Sequence, residues 1–306
     1  YADSIAGDER PDIVICSSTY PLDIYPGALI ARRTGARLVF EVHDLWPLTP
    51  ILLGGYSERH PYIRLLQRAE DDAYRMADVV VSLLPNALGY MTTRGLDPRK
   101  FVHIPNGVSV PLSLGAANGP LLPVVEDAIA RERNRGAFLV GFAGSINMGM
   151  ALGTLLGAAK LLEGDNVTFL VVGDGQNAGR LADEVIASGV GNFRLLGRIP
   201  KSSVQSFLAS MDALAIPWYR NPLYRYGISP NKLFDYMLSG RPVLQASDAA
   251  NDIVAEAECG FTVPPEDPEA FAAAVRRLRA LPEEERQRLG ANGRRFVLAH
   301  HEFRIL

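Results

Sequence analysis

Short apolar runs rich in β-branched residues alternate with amphipathic stretches along the whole chain, and no other feature of the sequence restricts its fold as much. Residues 13–16, 37–42, 79–83, 138–142, 168–172, 213–216 and 241–244 read as strands. Most are apolar on successive residues rather than on alternate ones, the pattern of strands covered on both faces in a parallel sheet. Between them, residues 62–76, 151–162, 204–211 and 268–280 place apolar side chains three and four apart, so a helix there buries one face. Strands and helices in alternation predict an α/β chain of the doubly wound type.

At 306 residues the chain can enclose two cores. Its texture changes between residues 108 and 136, where Pro111, Gly115, Gly119, Pro120 and Pro123 precede a charged run at 131–135. Such punctuation marks a connection between domains. We therefore expect an N-terminal domain at residues 1–110, a linker at 111–137 and a C-terminal domain at 138–306. The first residue is Tyr1 rather than a start methionine, and the N-terminal domain is expected to be incomplete at its start. After the linker the pattern restarts with the strand at 138–142, a turn at 143–147 and a helix, the opening of a second domain of nucleotide-binding type.

The formal net charge of −3 opposes a nucleic-acid partner, which needs a basic excess to neutralise phosphates. Two cysteines, Cys16 and Cys259, are too few for a disulfide framework or a zinc cluster and fit a reducing cytoplasm. The best apolar stretch, residues 148–162, is shorter than a membrane span and contains Lys160.

Three segments concentrate chemistry. Phe142-Ala143-Gly144-Ser145-Ile146-Asn147-Met148-Gly149 follows a strand and opens a helix, and Val171-Val172-Gly173-Asp174-Gly175 ends another strand in a polar turn. Glycines let backbone N–H groups approach a phosphate, and open α/β sheets bind ligands at the carboxyl ends of their strands. A purely steric use of glycine in a tight turn explains either segment equally well. The third segment runs from Tyr224 through Ser229-Pro230-Asn231-Lys232-Leu233-Phe234-Asp235-Tyr236-Met237. Ser229 is expected as the helix N-cap, with Pro230 at the first helical position. Asn231 and Lys232 then fall in the first turn, where the helix dipole disfavours a cation unless an anion lies nearby. The plainer alternative is a lysine facing solvent. Asp235 shares the helix face of Asn231 and Lys232, where its carboxylate could accept both hydroxyls of a ribose or pair with Lys232.

With those residues in view, the chain resembles the GT-B glycosyltransferases of family four, especially bacterial members that build surface polysaccharides and are similar to N-acetyl-L-fucosamine transferases. The resemblance rests on Glu41-Val42-His43-Asp44-Leu45-Trp46-Pro47, Ile104-Pro105-Asn106-Gly107-Val108, the two glycine turns, Leu196-Gly197-Arg198-Ile199-Pro200, and the segment from Ser229 to Met237, in family order. It implies two Rossmann-like doubly wound domains facing across a cleft, the second binding a nucleoside-diphosphate sugar, with UDP as the expected nucleotide. It also implies retention of anomeric configuration, with the leaving phosphate taking the acceptor's proton.

Residue by residue, the resemblance gives Asp235 the second acidic position of the family's Glu-x7-Glu motif, which holds the donor ribose. The first acidic position falls on Gly227, a departure that bears on recognition of the donor sugar. The family's basic residues after the first strand of the second domain are also missing. Lys232, supported by Arg225 or Arg198, is the expected replacement for neutralising the diphosphate. The donor pocket is thus expected to comprise Gly144, Ser145, Gly173, Gly175, Gly197, Arg198, Ser229, Asn231, Lys232 and Asp235, with the turn at Gly197, Arg198 and Ile199 holding the base through its backbone. His43, at the end of a strand with Glu41 and Asp44 beside it, is expected to face the donor sugar as a catalytic residue with Lys232 and Asp235; on its own, a histidine there is more often structural. No cofactor and no metal is expected, since there is no paired Asp-x-Asp to hold a divalent cation. Charge on the leaving group would be stabilised electrostatically.

The acceptor is expected to be a saccharide or a lipid-linked saccharide, and the protein to be cytoplasmic, with peripheral membrane association. The apolar run at 45–55 reads as core in preference to a lid over a lipid-linked acceptor. Two rival readings remain: a UDP-sugar 2-epimerase, which needs clustered acids and histidines for proton chemistry, and a non-catalytic protein that binds nucleotide sugars. Of the five histidines, only His43 is expected to end a strand, which weighs against the epimerase.

Overall fold

The computed structural model describes residues 10–17, 19–109 and 119–306. They form two compact units, each built on a parallel sheet. The start of the expected N-terminal domain and residues 111–118 of the expected linker lie outside the described residues.

The first unit comprises Tyr1–Asn106, Pro222–Ser229 and Ala249–Asn251. Its sheet has four strands, β1 (Ile13–Cys16), β2 (Arg37–Val42), β3 (Val79–Ser82) and β4 (Phe101–His103), paired in chain order and all parallel. The core gathers Cys16, Leu38, Phe40, Val42 and Val80 from the strands with Ile24, Ala28, Ala73 and Tyr74 from the helices Ile24–Thr34 and Pro61–Met76. The run at 45–55 corrects the core expectation. Leu45 is buried, but Leu52 and Leu53, on the helix Leu48–Gly54, are exposed.

The second unit comprises Gly107–Asn221, Pro230–Asp248 and Asp252–Leu306. Its six strands are β5 (Phe138–Ala143), β6 (Val167–Val172), β7 (Phe193–Leu195), β8 (Ala213–Pro217), β9 (Val243–Ala246) and β10 (Gly260–Val263), in the spatial order β10-β9-β8-β5-β6-β7. All pairs are parallel, and the order reverses between β5 and β8, the arrangement of a dinucleotide-binding sheet. Period two explains why these strands read as unbroken apolar runs. On β5, Phe138, Val140 and Phe142 enter one core while Leu139 and Ala143 enter the other. Strands β6 and β8 divide their side chains the same way.

Three differences from expectation have local causes. The last expected strand, 241–244, begins at Val243, because Pro242 has no N–H to give a sheet ladder. The charged run expected in the linker ends the helix Pro123–Asn134, which packs on β5. The units are also not contiguous in sequence. Tyr226 accepts the N–H of Asn86 (3.0 Å) and packs against Tyr90, so Pro222–Ser229 belongs to the first unit although it follows four strands of the second.

Candidate active site

In the second unit the carboxyl ends of β5 and β6 open into a cavity of about 470 Å³. Gly144, Ser145, Gly173, Gly175 and Arg198 line it, joined by Asp174, Ile199, Lys201 and Val204. The two glycine turns meet backbone to backbone beneath it. A Cβ on Gly173 (φ +145°) would lie 1.9 Å from the Gly144 carbonyl oxygen, and one on Gly175 (φ +154°) would lie 2.4 Å from that of Ile146. The steric need for glycine is therefore real.

The expectation that these glycine N–H groups receive a phosphate is corrected. Gly144 donates to the Val172 carbonyl (3.1 Å), Gly173 to that of Gly197 (2.8 Å) and Gly175 to the Asp174 carboxylate (2.7 Å). Gly197 (φ +76°) thus contributes a carbonyl that ties its turn to β6, and it does not line the cavity.

Ser229 also departs from expectation. The helix runs Asn231–Leu238 with Pro230 as its N-cap and no side-chain cap, and the Ser229 hydroxyl instead accepts the N–H of Asn106 (2.8 Å) within the first unit. Asn231 is exposed and outside the cavity lining. Lys232 turns inward. Its Nζ lies 4.5 Å from the centre of the Phe142 ring, 6.0 Å from that of Trp218, and donates to Met150 Sδ (3.1 Å). Its chain fills the space beside Gly144, where a Cβ would lie 2.6 Å from Lys232 Cε. Among the described residues no carboxylate pairs with it, so the Lys232–Asp235 ion pair is not formed. Burial without a counter-charge pushes its pKa down to about 8.

The sign of that shift gives a test. An unfolded lysine titrates near 10.4, so between about pH 8 and 10.4 the unfolded chain holds a proton the folded one has released, and stability rises with pH. Lys232→Met should therefore stabilise the ligand-free protein at pH 7 by on the order of 1 kcal/mol, a gain that fades as the pH passes 8. Urea unfolding at pH 7 and 9.5 checks this; a variant less stable than the parent at pH 7 contradicts it.

Sequence reasoning missed two residues here. Lys201 opens the one-turn helix Lys201–Ser203 directly after the Gly197-Arg198-Ile199-Pro200 turn, and its position next to that motif was the available signal. Its charge lies beside Asp235, which is exposed and outside the cavity lining. Tyr236, fully buried, accepts the Ala143 N–H (2.7 Å) and donates its hydroxyl to the Ala143 carbonyl (3.0 Å), fixing the Lys232 helix to the end of β5. Tyr236→Phe leaves both groups unpaired and should cost about 1–3 kcal/mol of stability in urea unfolding.

Of the other expected residues, Arg225 belongs to the first unit, where its guanidinium lies 5.0 Å from the centre of the Tyr226 ring. Gly227 (φ +90°) has no room for a side chain. A Cβ would lie 2.6 Å from the Pro85 ring, which accounts for the missing acidic residue. His43, also in the first unit, follows β2 directly, with Nε2 2.9 Å from Ser17 Oγ and 3.5 Å from Glu41 Oε2. It does not stand alone at a strand's end, because His103 is the last residue of β4.

Comparison with known proteins bears on this arrangement. Residues 3–107 match the family profile described as a glycosyl transferase 4-like domain, and residues 137–280 match that described as glycosyl transferases group 1. No curated protein matches the chain. Among solved structures, HepE of Anabaena in complex with UDP superposes with a TM-score of 0.73 at 16% identity, over 98% of this chain and 77% of that one. Sucrose-phosphate synthase of Thermosynechococcus elongatus gives 0.73 at 19%, over 99% and 73%. A glycosyltransferase from Rickettsia africae gives 0.74 at 13%, over 99% and 77%. The fold is that of a GT-B protein, two Rossmann-like domains in one chain. With its two sheet domains matched in turn by the two profiles, the chain belongs to the GT-B glycosyltransferases.

Proposed function

We propose that this glycosyltransferase is a retaining member of family four that takes a hexosyl or N-acetylhexosaminyl group from a UDP-sugar and passes it to a saccharide or lipid-linked saccharide in surface-polysaccharide synthesis. The observation behind the donor half is Lys232, a buried cation with no carboxylate partner among the described residues, next to a cavity rimmed by Arg198 and Lys201. A nucleoside diphosphate supplies the missing negative charge. Structures of the same fold in complex with UDP, HepE among them, support the uridine nucleotide.

In this reading the three cations neutralise the diphosphate, and Lys232 gains most as the bond to the sugar breaks and charge builds on the leaving phosphate. No metal is then required. The Gly197-Arg198-Ile199 turn holds the base. Asp235 accepts the ribose hydroxyls, a contact made equally before and during the reaction. Asp235→Ala should therefore weaken donor binding by about 1.5–3 kcal/mol, roughly 10- to 150-fold, with turnover little changed. Calorimetric titration with UDP and saturation kinetics separate the two effects.

The reaction itself is tested by UDP release from a panel of UDP-sugars, with and without saccharide acceptors, in the presence of chelator. Release that depends on acceptor and persists in chelator is the expected result. Binding of UDP without release under any acceptor would make the chain a donor-binding protein; loss of release in chelator would overturn the metal-free step.

A further inference from the structure

Glu70, on the helix Pro61–Met76, is a buried carboxyl group, 2% exposed. Three donors meet its two oxygens. Tyr74 donates its hydroxyl to Oε1 (2.9 Å), and the Gln67 amide (2.6 Å) and the Tyr90 hydroxyl (3.0 Å) both donate to Oε2. The charged groups around it compensate it little. Arg94 is committed to Asp71 by two bonds of 2.9 and 2.7 Å, and at the end of β2 Glu41 and Asp44 share a small cavity with Glu70, Tyr74 and Trp46. Burial therefore pushes the Glu70 carboxyl up to about 7, although the three bonds and Arg94 pull the other way.

All three donors suit a carboxylate. A protonated carboxyl group has a hydrogen of its own to give, so one of the three must stop donating and accept. The Gln67 amide nitrogen has no lone pair to offer. Tyr74, 1% exposed, would strand its hydrogen in the core, where an unpaired polar group is costly. Tyr90 is only partly buried, and its hydrogen can turn to water. Protonation thus falls on the Tyr90 contact, which changes from a bond to a charged acceptor into a weaker, neutral one. The other side of Tyr90 meets the segment Pro222–Ser229. Its ring centre lies 5.6 Å from that of Tyr226, whose carbonyl accepts the Asn86 N–H (3.0 Å) and whose ring is covered by the Arg225 guanidinium (5.0 Å). All of these residues belong to the first unit.

We propose that Glu70 is a proton switch inside the first unit: its carboxylate form holds Tyr90, and through Tyr90 the segment Pro222–Ser229, while its carboxyl form loosens both. The switch goes beyond the donor reading and does not depend on it.

Hydrogen exchange of the full chain, read by mass spectrometry at pH 6 and pH 8 and corrected for the pH dependence of the exchange chemistry, tests it. In the parent, protection of residues 223–229 should be about fivefold lower at pH 6, as a bond to a charged group gives way to a neutral one. Residues 168–172, on β6, should be equally protected at both. Glu70→Gln, which cannot ionise, and Tyr90→Phe, which lacks the hydroxyl, should each abolish the difference.

Urea unfolding in a Trp218→Phe background, where Trp46 reports the first unit alone, checks the titration itself. Between about pH 4.3 and pH 7 the folded chain holds a proton on Glu70 that the unfolded chain has released, so this group's contribution to stability falls as the pH rises. Glu70→Gln should accordingly gain on the parent from pH 5 to pH 8. Equal protection of the parent at the two pH values, a difference that persists in either variant, or a stability gap that does not move with pH would overturn the proposal. If Glu70→Gln fails to fold, the parent and Tyr90→Phe still decide it.

Discussion

Turnover of the Lys232→Met variant is expected to fall by roughly 10²- to 10³-fold, while its affinity for the donor changes much less. The reason lies in where the ammonium sits. It is seated against Phe142, Met150 and the Gly144 turn with no carboxylate to balance it among the described residues, and burial already holds its pKa near 8. A charge in such surroundings is screened little by water, so its attraction for an anion grows as charge accumulates on the departing diphosphate. Methionine keeps most of the side chain's volume and removes only the charge. Saturation kinetics with a fixed acceptor measure both constants. A loss confined to donor affinity, with turnover intact, would remove Lys232 from the chemical step.

The second large effect falls on the fold. Gly173→Ala places a Cβ 1.9 Å from the Gly144 carbonyl oxygen on a backbone with φ of +145°, which alanine rarely adopts. Backbone strain and overpacking each cost about 1–3 kcal/mol, so a loss of roughly 2–6 kcal/mol is expected. That is a large share of a stability on the order of 5–15 kcal/mol. The two tryptophans fall one in each unit, Trp46 in the first and Trp218 in the second, so fluorescence of a Trp46→Phe background follows the second unit alone in urea. Gly191→Ala, where a Cβ meets nothing within 4 Å, is the control and should unfold with the parent. Coincident midpoints for Gly173→Ala and Gly191→Ala would mean that the two glycine turns do not pack as described.

The sequence made the second sheet legible because its central strands are buried on both faces and show as unbroken apolar runs. Strands β4 and β7 have three residues each, too few for any period to show, and β10, Gly260-Phe261-Thr262-Val263, is not an unbroken apolar run. The cavity was legible in its glycine turns, and Lys232, which packs beside Gly144 outside the cavity lining, was legible from its place at a helix start, because turn chemistry and a cation at a helix start are local signals. Lys201 and Tyr236 were not, since each acts through residues far away in sequence: Lys201 beside Asp235, Tyr236 on Ala143. Ser229 was misassigned for the same reason. A serine before Pro230 is locally an N-cap, but Asn106, 123 residues earlier, takes its hydroxyl. The placement of Pro222–Ser229 with the first unit likewise depends on Pro85, Asn86 and Tyr90, which no local pattern connects to it.

The central claim is that the cavity at the ends of β5 and β6 holds a diphosphate by charge. Calorimetric titration of the full chain with uridine, UMP and UDP in chelator tests it directly. Affinity should climb with each phosphate, UDP binding at least about tenfold more tightly than uridine, as a single charged hydrogen bond contributes about 1.5–3 kcal/mol. The climb should flatten when Arg198, Lys201 and Lys232 are replaced together by Gln, Gln and Met. Equal affinity for uridine and UDP, or an unchanged climb in the triple variant, would contradict the account.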